Sequence, residues 1–340
     1  MKIHSIAPAL ALAVLLAPSS SLAQEPGVKL AAGDFGIGIG DVPRLDGLRL
    51  NFRDRYLERV RGINATLWMP YEDADGSVEG LLLGIPLTGA ADMKGLAIGF
   101  GVGIERDFSG IALAPIGMGA GGRIRGLIVG GVGVGGGSDL DGILIGGVGG
   151  GIGGNLTGIA VGGIGVGVGG AVRGIVVGGV GVGVGGDMSG IGFGGVGIGA
   201  SGDVTGLLVG GVGVGAGRDL SGIAIGGIGV GVGGELKGIG IAGIGVGGSR
   251  LTGIMISGIG VGAEHVRGLV IAPAYFKVME GGTFRGVSVS AFNHIVGRQN
   301  GLTIGLLNIA NELHGVQIGL INIARNKRSF RVMPFVNFNR

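Results

Sequence analysis

Apolar and polar positions repeat along this chain in a fixed frame. Glycines followed by Ile, Leu or Val recur throughout, and from Gly110 to Gly238 they fall at eight successive intervals of sixteen residues; outside that stretch the interval is 14, 15 or 18. A constant period over most of a chain marks units that pack chiefly on their neighbours. Numbered from the leading glycine, position 2 (Ile143, Ile159, Ile175), position 4 (Ile145, Val161, Val177), position 7 (Val148, Ile164, Val180), position 9 (Val166, Val182, Ile198) and position 15 (Leu156, Val172, Met188) are apolar. Apolar residues at 2 and 4, then at 7, 9 and often 11, have period two, with a phase break at the Gly-Gly pair in positions 5 and 6.

That pattern predicts two short strands per unit, over positions 2–5 and 7–11, and a polar turn over 12–16 where glycine adopts positive φ at little cost. Stacked units lay like strand on like strand in parallel, about 4.8 Å apart, so about 17 coils make a rod of roughly 80 Å. The expected fold is an all-β, single-handed β-solenoid, with positions 2, 4, 7, 9, 11 and 15 inward and 3, 8 and 10 outward. The alternative is an outer-membrane β-barrel of about 18 strands, each unit giving one strand of about eleven residues plus a turn. Against it, the alternate face is glycine instead of polar lumen residues, and Phe193 is the only aromatic between Phe108 and Tyr275.

Composition agrees with a structural use of glycine. There are 88 glycines in 340 residues, not at every third position, and the residues between them are aliphatic, which excludes collagen and disfavours disorder. Residues 1–23 read as a secretory signal peptide, with Lys2, an apolar run and a small-residue site at Ser21-Leu22-Ala23. Residues 24–79 then form an N-terminal cap and irregular first coils, 80–324 the glycine-rich β-repeat domain, and 325–340 a basic, aromatic C-terminal cap. The stretches Leu48–Gly62 and Arg325–Arg340 are charged, aromatic and almost free of glycine, as ends that shield a repeat core should be. With no cysteine, disulfides, lipoprotein anchors and thiolate metal sites are excluded, and a net charge of +3 does not indicate nucleic acid.

Chemistry is sparse. The recurring Gly-Val-Gly-Val-Gly-Gly matches a loose dinucleotide-loop pattern many times, but no helical periodicity and no Gly-Lys-Ser/Thr follow it, so no nucleotide or other cofactor is expected. Asp139, Asp187, Asp203, Asp219 and Glu235 share position 14; the last four would stack as a carboxylate column about 5 Å apart, a weak candidate for a divalent cation as in calcium-stabilised β-rolls. A solvated turn is the plainer account of that column. Outside the leader, His265, His294 and His314 are isolated, and no catalytic triad converges, so the chain reads as no enzyme. The most informative surface is an outer face of Gly181, Gly183 and Gly213 at positions 8 and 10, with Val176 and Leu208 at position 3, which carries no polar side chain.

The last coils, "GLTIGLLNIANELHGVQIGLINIARN" from Gly301 to Asn326, resemble the G-[LV]-x-[IL]-G-L-x-N repeats of uncharacterised bacterial surface repeat proteins of the leptospiral type, of which this chain would be a glycine-rich member. It departs from them in its Gly-Val interior; Asn308 and Asn322 fall at position 8, where the middle coils have glycine, so surface chemistry should differ along the rod. The resemblance implies an exported protein of the cell surface, outer membrane or periplasm and no known reaction. The expected function is therefore a non-catalytic structural or interaction rod, whose apolar, glycine-rich face serves self-association or contact with an envelope component or a lipid surface. A barrel acting as channel or anchor is the alternative.

Overall fold

The computed structural model describes residues 27–68, 70 and 75–340, and the leader read at residues 1–23 lies outside them. Every helix or strand among the described residues is a strand. The ladders between coils are parallel and keep the sixteen-residue register, so that Ile143 lies opposite Ile159 and Ile159 opposite Ile175. One coil supplies the strands Leu140–Gly146 and Gly149–Ile152, and each pairs with its counterparts in the coils before and after. A barrel needs antiparallel hairpin neighbours. The chain is instead a β-solenoid of about 16 turns.

The first strand of each coil is longer than its sequence pattern indicated. It begins at position 15 and runs through the leading glycine to position 5, in unbroken alternation: Leu140, Leu144 and Gly146 face in, while Asp141, Ile143 and Ile145 face out. Leu144 is 0% exposed, whereas Ile143 and Ile145 are 38% and 40% exposed, and Val148 at position 7 is 45% exposed. Positions 2, 4 and 7 are thus outward and position 3 inward, the reverse of expectation; positions 9, 11 and 15 face in, as Val166, Val168 and Leu156 show. The leading glycine is the reason. At Gly142 φ is +146°, and a Cβ there would lie 2.0 Å from the carbonyl oxygen of Gly126 in the coil before. Glycine at this inward place lets successive backbones close up without ending the strand.

The core is narrow, and large residues fill the space that small ones leave. A Cβ on Gly150 would come within 2.5 Å of Leu144 Cδ2, and one on Gly192 within 2.2 Å of Ile198 Cδ1 and 2.7 Å of Met188 Cε. Position 3 therefore varies between Leu144, Ala160, Val176, Gly192 and Leu208 according to what faces it.

Both ends of the parallel stack are closed by an antiparallel strand. The hairpin of Gly27–Ala32 with Phe35–Gly40 covers the first coil, and Val332–Asn339 covers the last. The Leu48–Gly62 stretch instead lies within the first coils, around a buried cation: Arg49 donates to the Asp54 carboxylate, to Asn64 Oδ1 at 3.0 Å and to the Val42 carbonyl at 2.7 Å. Paired and fully hydrogen-bonded, that charge is tolerated in the interior. In the C-terminal coils Asn308 and Asn322 do not take the outer glycine place. The corner there is one residue shorter, so both side chains point inward, where Asn293 Nδ2 donates to Asn308 Oδ1 and Asn308 Nδ2 to Asn322 Oδ1, each at 2.7 Å.

Candidate functional site

Three surfaces of the coil present regular columns of side chains to solvent. The first is the turn edge at position 14. The carboxylates there are used by the backbone of the next coil: Asp187 Oδ1 accepts from Asp203 N at 2.9 Å, Asp203 Oδ1 from Asp219 N at 3.1 Å and Asp219 Oδ1 from Glu235 N at 2.7 Å. Asp139 Oδ1 does the same for Asn155 N at 2.8 Å. Arg218 reaches back to both Asp187 and Asp203, which offsets the repulsion along the column. The hydrogen bond from Asp203 N, and then Arg218, hold the Asp187 carboxyl below the ordinary carboxylate range. Among the described residues no group of three or more His, Asp or Glu is arranged around a common metal position. The column is a device for joining coils.

The second surface is the outer side of the second strands, where Gly181, Gly183 and Gly213 lie as expected. A Cβ on Gly183 would meet nothing within 4 Å, and the same holds for Gly135, Gly151, Gly167 and Gly231 at the same level. Neither sterics nor φ requires glycine at position 10. Val176 and Leu208, expected on such a face, are both 0% exposed and belong to the core, because position 3 keeps the parity of position 15. The glycine columns end at an aromatic ledge: Tyr275 and Phe292 continue the column of Gly260 in the ladder, and Tyr275 Oη lies 3.2 Å from His294 Nδ1. Burial, and then Lys277 and Arg325, push the His294 pKa down; burial pushes that of Tyr275 up.

The third surface is the outer side of the first strands. Two columns of Ile, Val and Leu at positions 2 and 4 run along it, bordered by a third column at position 7 on the corner, where Ile164, Val180, Val196, Val212, Ile228 and Ile244 are all exposed. On the same side stands position 16, and that column is rich in cations: Arg61, Lys94, Arg125, Arg173, Lys237, Arg267 and Arg285 against Asp46, Glu79 and Asp141. Among the described residues Arg61 pairs with Glu79 at 3.4 Å and the other six cations enter no ion pair, whereas Arg218, Arg250 and Arg298 at the neighbouring edge do. A sheet about 80 Å long and 10 Å wide, aliphatic across and basic along one border, is therefore exposed.

The signal that locates this face lies in the sequence. Position 16 is Asp141, Thr157, Arg173, Ser189, Thr205, Ser221 and Lys237, an outward set; counting by two across the glycine places 2 and 4 outward with it. Comparison of the chain with protein-family models, with curated proteins and with solved structures gives no match.

Proposed function

We propose that the protein is a non-catalytic structural rod of the bacterial cell envelope that lies on a lipid surface with its first-strand sheet down. The observation that carries this reading is the joint placement, on one flat face, of exposed aliphatic columns and a row of cations, six of them without ion-pair partners. A surface of that kind matches the boundary between acyl chains and anionic headgroups, where aliphatic side chains enter and Lys and Arg stems reach up to the phosphates. Each half-exposed Ile moved into lipid contributes about 1 kcal/mol, and each cation beside an anionic membrane about as much again. Summed over many coils such terms bind a rod firmly although no single coil binds at all. The leader pattern at residues 1–23 and the resemblance of residues 301–326 to surface repeat proteins support an exported location.

Flotation with vesicles tests the reading. The mature chain is expected to float with vesicles containing anionic phospholipid, and Ile143→Glu with Ile145→Glu to weaken flotation while leaving the melting temperature unchanged. A wild-type chain that sediments without vesicles, and instead elutes as a dimer that the same pair of substitutions breaks, would assign the face to a second copy and refute lipid docking.

A further inference from the structure

The cation row is not uniform. It condenses in one place, at the coils led by Gly238, Gly253, Gly268 and Gly286, where an open groove of ≈ 530 Å³ is lined by Lys237, Arg250, Arg267 and Arg285 together with Glu235 and His265. Successive positions stack directly in the ladder: Lys237 opposite Thr252, Thr252 opposite Arg267, and Arg267 opposite Arg285. With strands about 4.8 Å apart, the three cations Lys237, Arg267 and Arg285 fall within about 15 Å. Glu235, the one carboxylate in the lining, is already used: it lies 3.8 Å from Arg250 Nη1 and accepts from Thr252 Oγ1 at 2.7 Å. Two arginines at neighbouring places on adjacent strands, with no carboxylate between them, repel each other in the free protein.

Thr283 and His265 add two further polar groups to the lining. Between Val278 and Thr283 the register shifts, and residues 279–282 are added at the edge of the sheet beside Ala263 and His265. Thr283 Oγ1 and His265 Nδ1 then meet at 3.1 Å on the floor, so hydroxyl and imidazole stand beside the guanidinium groups. Along the same strands, outward and next to the cations, come Ile239, Ile254, Leu269 and Val287. A ligand held here by its anionic end would lay its apolar part along the aliphatic columns.

We infer that this groove is a binding site for the phosphate headgroup of an anionic lipid, with Arg267 and Arg285 forked onto the phosphate oxygens and Lys237 as the third cation. Paired guanidinium groups suit the oxygens of a phosphate, and the adjoining aliphatic columns favour a lipid over a free phosphate ester. This inference rests on the lipid-docking reading and names the headgroup that the docked face selects.

The test uses the full mature chain, vesicles of phosphatidylcholine alone or doped with phosphatidic acid, and soluble glycerol phosphate. Wild type is expected to bind the doped vesicles about tenfold to thirtyfold tighter than the neutral ones. The Arg267→Gln, Arg285→Gln pair should lose most of that preference at unchanged melting temperature and still bind neutral vesicles, while Arg106→Gln with Arg218→Gln, removing two cations off the docking face that pair with Asp92 and Asp187, should keep it. Equal affinity of wild type for both vesicles, or an equal loss from both pairs, overturns the site while docking stands. If no vesicle binds, docking itself fails, and glycerol phosphate decides the groove: saturable binding by wild type and none by the Arg267, Arg285 pair retains a phosphate site for a soluble ester, and no binding by either removes it.

Discussion

Two glycines nine residues apart in one coil should respond in opposite ways to the same added methyl group. At Gly174 φ is +137°, and a Cβ would sit 1.9 Å from the carbonyl oxygen of Gly158, well inside contact distance and against backbone on a rigid ladder. An alanine there carries a strained φ, worth about 1–3 kcal/mol, and must also push two coils apart at a place where parallel hydrogen bonds run on both sides. The expected loss for Gly174→Ala is at least about 3 kcal/mol, because the strain and at least one weakened ladder bond add together. At Gly183 a Cβ meets nothing within 4 Å, and Gly183→Ala should be neutral or stabilise by about 0.4–1 kcal/mol through the unfolded chain. Urea unfolding followed by far-ultraviolet dichroism measures both. Similar midpoints for the two variants, or a loss at Gly183 as large as at Gly174, would refute the assignment of position 1 to the inter-coil contact and position 10 to open space.

The same in-and-out alternation predicts that Leu144→Ala, in the core, costs about 2–5 kcal/mol, whereas Ile143→Ala, one residue away and 38% exposed, costs far less; equal costs would contradict the phase of the strand. Asn308→Ala removes the middle of the buried amide ladder and leaves Asn293 and Asn322 each short of a partner, so a loss of about 1–3 kcal/mol is expected in chemical melts. Acid should weaken the fold in stages, as His294 and Asp187 illustrate. His294 has a folded pKa below its ordinary 6.5, so the unfolded chain takes up its proton first and stability falls as pH drops below that value. Asp187 has a folded pKa below 3.8, so its contribution is whole above that value and is lost only as pH falls through the lower one. His294→Gln should flatten the melting profile between pH 7 and pH 5 and leave the more acidic limb unchanged.

The solenoid was legible because a sixteen-residue period can be met in register only by stacking like on like, and the observed partners, Ile143 on Ile159 and Leu140 on Leu156, are the ones the period names. Strand phase was harder to read because the first strand is apolar on both sides. Positions 2 and 4, as at Ile143 and Ile145, are large in every middle coil, whereas position 3 runs from Leu144 to Ala160 to Gly192, so bulk pointed the first two inward; but a core this narrow cannot seat a large residue at every coil, and its variable volumes at position 3 are the mark of packing. Val176 and Leu208 were misplaced on the surface for that reason. The outward glycines Gly181, Gly183 and Gly213 were placed correctly, since their second strand carries its aliphatic residues on one side only. Buried Asn308 was hidden by a one-residue change at the corner, and the cation groove because Lys237, Arg267 and Arg285, far apart in the chain, come together only when the coils stack.

The chain has no cysteine, so a single introduced thiol can report on either face. Ile223→Cys and Gly183→Cys, each labelled with an environment-sensitive fluorophore and bound to anionic vesicles, test the orientation of the rod most directly. The label at 223, on the aliphatic face, should shift to the emission of an apolar medium and become quenchable by lipid-borne quenchers, while the label at 183 stays accessible to aqueous iodide. Lipid quenching at 183 with none at 223, or aqueous quenching at both with the protein bound, would contradict a rod that lies on its first-strand sheet.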